Sequence, residues 1–160
     1  MGNDGMREVT ITRTVNAPLD KVWKAWTDQE TVRRWWGPRG VTNPTCEWNA
    51  APDGKIEIVM LAGKELGPAA GQKWPMRGTF REVTPQRRLV IAGEAIDDVK
   101  NVLIQNVITV DFESDGDKVR MTVHVVVTNA DPKAEQMLQG MGAGFNQQTD
   151  KLVELLEKKE

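Results

Sequence analysis

Residues 7–15, REVTITRTV, alternate: Val9, Ile11, Arg13 and Val15 share one side, and Thr10, Thr12 and Thr14 the other. Period-two patterning of β-branched residues predicts a strand. In NAPLDKVWKAW the period changes. Leu19, Val22, Trp23 and Trp26 recur at helical spacing after Pro18, which suits a first helical position. Thr27 and Glu30 have capping-box spacing, so a second short helix is expected from about Asp28 to Trp36, ended by Gly37-Pro38. From Val41 to Val127 the pattern is mostly β: VTNPTCEW, KIEIVML, WPMRGTFREV, RLVIAGEA, VLIQNVITVDF and KVRMTVHVVV. APDG and TPQR read as turns, AGKELGPAAGQK as a loop, and ESDGD as a hairpin connection. Asp131-Pro132 offers a cap and a first-turn proline. A helical stripe then runs through Ala134, Leu138, Met141, Phe145, Leu152, Leu155 and Leu156, with Gly140, Gly142 and Gly144 expected to kink or split it.

One strand, two short helices, about six further strands and a long terminal helix make an α+β plan. A bent antiparallel sheet could wrap its concave face around the terminal helix. The chain of 160 residues favours one domain, expected over residues 7–158 behind a flexible tail at residues 1–6. A domain this size buries roughly two-thirds of its unfolded surface and needs no staple. The net charge of -2 comes without a basic block, which argues against a sequence-independent nucleic-acid binder. Cys46 stands alone, so no disulfide framework or thiolate metal cluster is expected. No apolar run approaches the ~20 residues of a membrane span, and the start lacks a signal-peptide core. A cytoplasmic location is the expectation. A homodimer is not derivable from the sequence.

The words APLDKVWKAWTDQETVRRWWGPRGVTNPTCE, WPMRGTFREVTPQRRLV and GFNQQTDKLVELL resemble the activator of heat shock protein 90 ATPase homologue-like family. That family sits in the START-like (SRPBCC) superfamily, and the resemblance runs from about Glu8 to Leu156. It implies a helix-grip fold of six to seven strands, with a hydrophobic cavity between curved sheet and long helix. Its relatives bind lipids, sterols, hormones or polyketides, and a few catalyse cyclisation or aromatisation. A family turn that often reads Asp-x-Arg-Pro-Gly-Gly is Asn49 to Gly54 here, without the Asp and Arg, and Ile56 replaces a common Trp. A charge-based role at that corner is therefore doubtful.

Several groups look chemical and are better read as structure. Alternation puts His124, the sole histidine, opposite Met121, Val123 and Val125, facing solvent, which disfavours a nucleophilic triad or a histidine metal site. Cys46 pairs with Trp48 on one face and reads as buried and inert. GMGAG, Gly140 to Gly144, fails the dinucleotide fingerprint: Phe145 holds the sixth position and no strand precedes it. Glu94, Asp97 and Asp98 read as a solvated loop, and Arg33, Arg34 and Arg39 as a surface patch. Of the adjacent tryptophans, Trp35 is expected to plug the core, and Trp36 to lie toward the cavity rim or a neighbouring strand.

Two amides interrupt apolar faces. Asn106 shares a strand face with Ile104, Ile108, Val110 and Phe112, and Gln148 lies on the helix stripe between Phe145 and Leu152. Each must be satisfied by protein, water or ligand. The leading expectation is a non-catalytic binder of a small apolar or lipid-like, amphipathic ligand. Its cavity wall is expected from Trp48, Ile58, Met60, Met76, Phe80, Ile108, Val110, Met121, Val123, Met141 and Phe145, with Trp36 at the rim and Asn106 and Gln148 as anchors. No cofactor or metal is expected. The first alternative is a cyclase or hydrolase in the same cavity, for which Glu82 is the sole carboxylate considered. The second is a chaperone cofactor, on the family name alone.

Overall fold

The computed structural model describes residues 8–97 and 99–158. The expected tail at residues 1–6, and Asp98, lie outside the described residues. Seven strands form one antiparallel sheet: β1 (Glu8–Val15), β2 (Val41–Trp48), β3 (Lys55–Ala62), β4 (Lys73–Thr84), β5 (Arg88–Ile96), β6 (Val102–Asp115) and β7 (Lys118–Ala130). Their order is β1-β7-β6-β5-β4-β3-β2. Two short helices, α1 (Leu19–Thr27) and α2 (Gln29–Trp35), follow β1, and α3 (Glu135–Glu157) closes the chain. The curved sheet wraps around α3, which is the helix-grip arrangement.

The details follow local chemistry. Helix α2 is capped by Asp28, whose carboxylate accepts from the Thr31 N–H at 3.1 Å and from the Thr31 hydroxyl at 2.5 Å. The expected capping box began one residue too early at Thr27; the carboxylate next to it takes the cap. The loop after β3 contains a 3-10 turn over Lys64–Ala69. Asp131 caps a further 3-10 turn, Pro132–Ala134, before α3 begins. Gly140, Gly142 and Gly144 neither kink nor split α3, which is continuous over its 23 residues. Its backbone ladder outweighs the roughly 1 kcal/mol that each glycine costs relative to alanine.

The core is built around a run of aromatic rings. Trp23 meets Phe112 at 5.4 Å, Trp26 meets Trp35 at 4.7 Å, Trp35 meets Trp36 at 5.7 Å, Trp36 meets Trp48 at 5.2 Å, and Trp48 meets Phe80 at 5.3 Å. Most are edge-on or tilted, the geometry favoured by the ring quadrupole. Two of the indole N–H groups donate to carbonyls inside: Trp35 to Ala25 at 3.0 Å and Trp48 to Trp26 at 2.7 Å. Both adjacent tryptophans are buried, Trp35 at 1% exposure and Trp36 at 3%. Trp36 turns to the neighbouring strand β2 and not to a rim. Two rings enter one core because α2 ends at Trp35 and Trp36 already has extended backbone, with ψ 140.

Trp35→Ala and Trp36→Ala are each expected to destabilise the fold by about 3–5 kcal/mol, the range for truncating a buried aromatic. Urea unfolding of both variants checks this; a Trp36→Ala loss under about 1 kcal/mol would contradict its burial.

Candidate functional site

The turn after α2 is fastened to α3 by four side chains of that helix. Gln148 Oε1 accepts from the Gly37 N–H at 2.7 Å, and Gln147 Oε1 from the Arg39 N–H at 3.0 Å. Lys151 Nζ donates to the Pro38 carbonyl at 3.3 Å, and Glu154 pairs with the Arg39 guanidinium. Burial beside Arg39 lowers the Lys151 pKa. On the opposite flank Arg13 of β1 reaches Asp150 at 3.1 Å and Asn146 at 3.2 Å. These ties fall in the C-terminal half of α3, where Leu152 and Leu156 also enter the core. Gln148, one of two candidate anchors, thus gives its oxygen to a protein partner.

The N-terminal half of α3 lies differently. The apolar interior divides into two clusters. The larger holds Trp26, Trp35, Trp36, Trp48, Ile58, Phe80, Ile108, Val110, Met121, Val123 and Leu152. The smaller holds Ile104, Val127, Ala134 and Leu138. Met141 packs against both. On β5 the division falls at Gly93, between Ile91 of the larger cluster and Ala95 beside the smaller. On β6 it falls at Asn106, between Ile108 and Ile104. Gly93 and Asn106 are register partners across those strands. A Cβ on Gly93 would stand 3.0 Å from Asn106 Oδ1 and 3.7 Å from the Met76 methyl carbon. That Oδ1 is buried and has no hydrogen-bond partner.

Met76, which borders the seam, also lines a groove of about 340 Å³ at the end of the sheet, where β3, β4 and β5 meet the start of α3. Met60, Trp74, Met76, Ala95, Leu103 and Met137 give it an apolar lining, with Lys73 and Asp97 at the mouth. Met137 is 41% exposed and Val99 75%, the two exposed large hydrophobic residues of the described chain. Cβ atoms on Gly140, Gly142 or Gly144 of α3 would meet nothing within 4 Å.

Thus the expected wall residues divide by their packing. Trp36, Trp48, Ile58, Phe80, Ile108, Val110, Met121 and Val123 are interior members of the larger cluster. Met60, Met76, Asn106, Met141 and Phe145 lie along the seam or its groove, or are partly buried against the cluster. Sequence reasoning missed Gly93, Ala95, Trp74, Leu103 and Met137. The inward alternation of β5 could have found the first two. Glu82 is exposed and receives the Thr84 hydroxyl at 2.7 Å. A bulge between Phe80 and Glu82 breaks the alternation there. His124 faces outward onto Glu8 at 2.7 Å, and burial raises the Cys46 pKa. Among the described residues no group of His, Cys, Asp and Glu could hold a metal ion, and no helix is long and apolar enough to cross a membrane.

A larger depression of about 580 Å³ lies on the outer face of the sheet, over Gly78 and Gly93. Asn106 also lines this depression, in which Arg77 donates to Glu94 at 2.9 Å, and Gln105 to the other oxygen of Glu94 at 2.8 Å. Those bonds lower the Glu94 pKa. The groove is the smaller of the two and has the fewer polar groups in its lining.

A family model described as activator of Hsp90 ATPase homolog 1-like protein matches residues 16–157. Among solved structures, a protein from Arthrobacter aurescens is 21% identical with a TM-score of 0.79, covering 95% of this chain and 87% of its own. The AHSA1 protein from Silicibacter pomeroyi is 18% identical with a TM-score of 0.76, covering 93% and 96%. A protein from Chromobacterium violaceum is 21% identical with a TM-score of 0.75, covering 96% and 99%. At these identities the likeness shows the fold. No curated protein matches the chain.

Gln148→Leu is expected to destabilise the fold by about 1–3 kcal/mol, because the buried Gly37 N–H loses its acceptor; urea unfolding measures it. Glu94 has a depressed folded pKa, so its contribution is complete above the ordinary glutamate value and lost as pH falls through the folded one. Glu94→Gln should therefore lower the thermal midpoint at pH 7, by up to about 1 kcal/mol for so exposed a pair. The difference should vanish at a pH acid enough to protonate Glu94 in the folded protein.

Proposed function

Since the chain belongs to the activator of Hsp90 ATPase homolog 1-like family, we propose that it is a non-catalytic binding protein for a small apolar or amphipathic molecule, held in the groove between the sheet and the N-terminal half of α3. The observation that supports this is the division of the core at Gly93 and Asn106, bordered by Met76, which also lines an apolar groove. Three methionines, Met60, Met76 and Met137, line the groove, and their unbranched side chains can repack around different shapes. About 340 Å³ lies at the small end of the range for ligand pockets. The apolar lining supplies no acid–base pair. Asp97 at the mouth is engaged by the Val99 and Asn101 N–H groups. General acid–base turnover therefore lacks support beside simple binding.

The test is titration with prodan, an uncharged dye whose emission shifts to the blue in apolar surroundings. Saturable binding is expected, weakened at least tenfold by Ala95→Phe, which fills the groove from the sheet side. The same substitution should leave the unfolding midpoint nearly unchanged; overpacking a closed core would instead cost about 1–3 kcal/mol. No saturable binding, or an Ala95→Phe variant that binds as the parent does, would sink the proposal.

A further inference from the structure

We infer that the groove selects ligands carrying an uncharged hydrogen-bond donor, an alcohol, phenol or amide N–H, which binds to Asn106 Oδ1; this rests on the groove being the binding site. The two amides on the apolar faces differ in one respect. Gln148 Oε1 is engaged by the Gly37 N–H, whereas Asn106 Oδ1 is buried without a partner. Asn43 Oδ1 is in the same state, but the Asn43 amide is held by its N–H groups on the Arg33 and Trp36 carbonyls at 2.9 and 3.0 Å. No such pair of bonds accounts for Asn106.

The surroundings define the missing partner. Gly93, facing Asn106, leaves the space beside Oδ1 free of a side chain, and a single Cβ there would press on it at 3.0 Å. The Met76 methyl group borders the same space, and Met76 also lines the groove. Rotation of that flexible side chain would join the two. The inward neighbours on β5 and β6 are Ile91, Ala95, Ile104 and Ile108. None offers a countercharge, so an ammonium would be desolvated there without compensation. A carboxylate would set its oxygens against an acceptor. A neutral O–H or N–H meets both conditions, with its apolar body directed toward Met60, Trp74 and Met137.

The experiment compares 1-octanol with 1-fluorooctane, which match in size but differ in the donor, each displacing prodan. The parent protein is expected to prefer the alcohol by about fivefold, the scale of one neutral hydrogen bond. Asn106→Leu should erase that preference while keeping affinity for the fluoroalkane. The variant is expected to unfold at a higher midpoint than the parent, since it removes an unsatisfied acceptor. Should it fail to fold, Gly93→Ala, which crowds Oδ1, is expected to reduce the preference in its place. Equal binding of the two probes by the parent, or an alcohol preference that survives Asn106→Leu, would overturn the inference and leave the groove as a site. Absence of prodan binding would remove the groove and the inference together.

Discussion

The position of α3 depends on one buried N–H. After two tryptophans enter the core, the chain must reverse at Gly37, which does so at φ 89. A Cβ there would lie 2.6 Å from a Val41 methyl and 2.8 Å from the Met60 sulfur, so neither the backbone angle nor the space admits another residue. That turn leaves the Gly37 N–H buried, and Gln148 supplies its acceptor. Leaving it unpaired would cost about 1–3 kcal/mol, a large share of the stability of a small domain. The bond fixes the rotation of α3 about its axis, and Leu152 and Leu156, one and two turns further on, are thereby directed into the core.

With its C-terminal half fixed in this way, α3 need not be packed equally along its length. Its three glycines lie in the other half, and each has open space where a side chain would begin. On the sheet the interior splits at Gly93 and Asn106, register partners on adjacent strands. Either position occupied by a β-branched residue would extend the larger cluster toward the smaller. The fold supports this gap because its stability is concentrated elsewhere, in the rings from Trp23 to Phe80 and the aliphatic residues around them. This division of labour along the helix would let the proposed site exist without competing with folding.

The strands, the three helices and the α+β order were legible because each rests on local periodicity, the helix-grip plan came with the family resemblance, and the outward placement of His124 followed from the same alternation. The failures have local causes too. A bulge between Phe80 and Glu82 shifted a carboxylate away from the face that strict alternation would give it. Trp36 left the helical period one residue before the pattern suggested and turned to β2. Asn106 and Gln148, by contrast, were indistinguishable in sequence, each a polar residue on an apolar stripe. Gly37 is 111 positions from Gln148, and no window-based pattern reports a pairing at that distance. The groove lining was only partly legible, because Met60 and Met76 belong to regular strands, while Leu103 and Met137 reach it from beside a bulge and from the first turn of α3.

The two faces of the sheet show why a neutral ligand suits the inside. On the outer face charge is balanced locally: Arg77 with Glu94, Arg88 with Asp111, and His124 with Glu8. These pairs sit near water, where desolvation is slight and a mismatch would be tolerated. The inner face has no such reserve. Asn106 Oδ1 is an unmet acceptor in apolar surroundings there, where a charge would be too costly to bury and a purely apolar group would leave the oxygen unpaired. Selectivity at such a point arises less from the strength of the bond than from the penalty on ligands that cannot make it. In the proposed site, one amide would discriminate between molecules of the same shape, while the methionines of the adjoining groove would adapt to molecules of different shape.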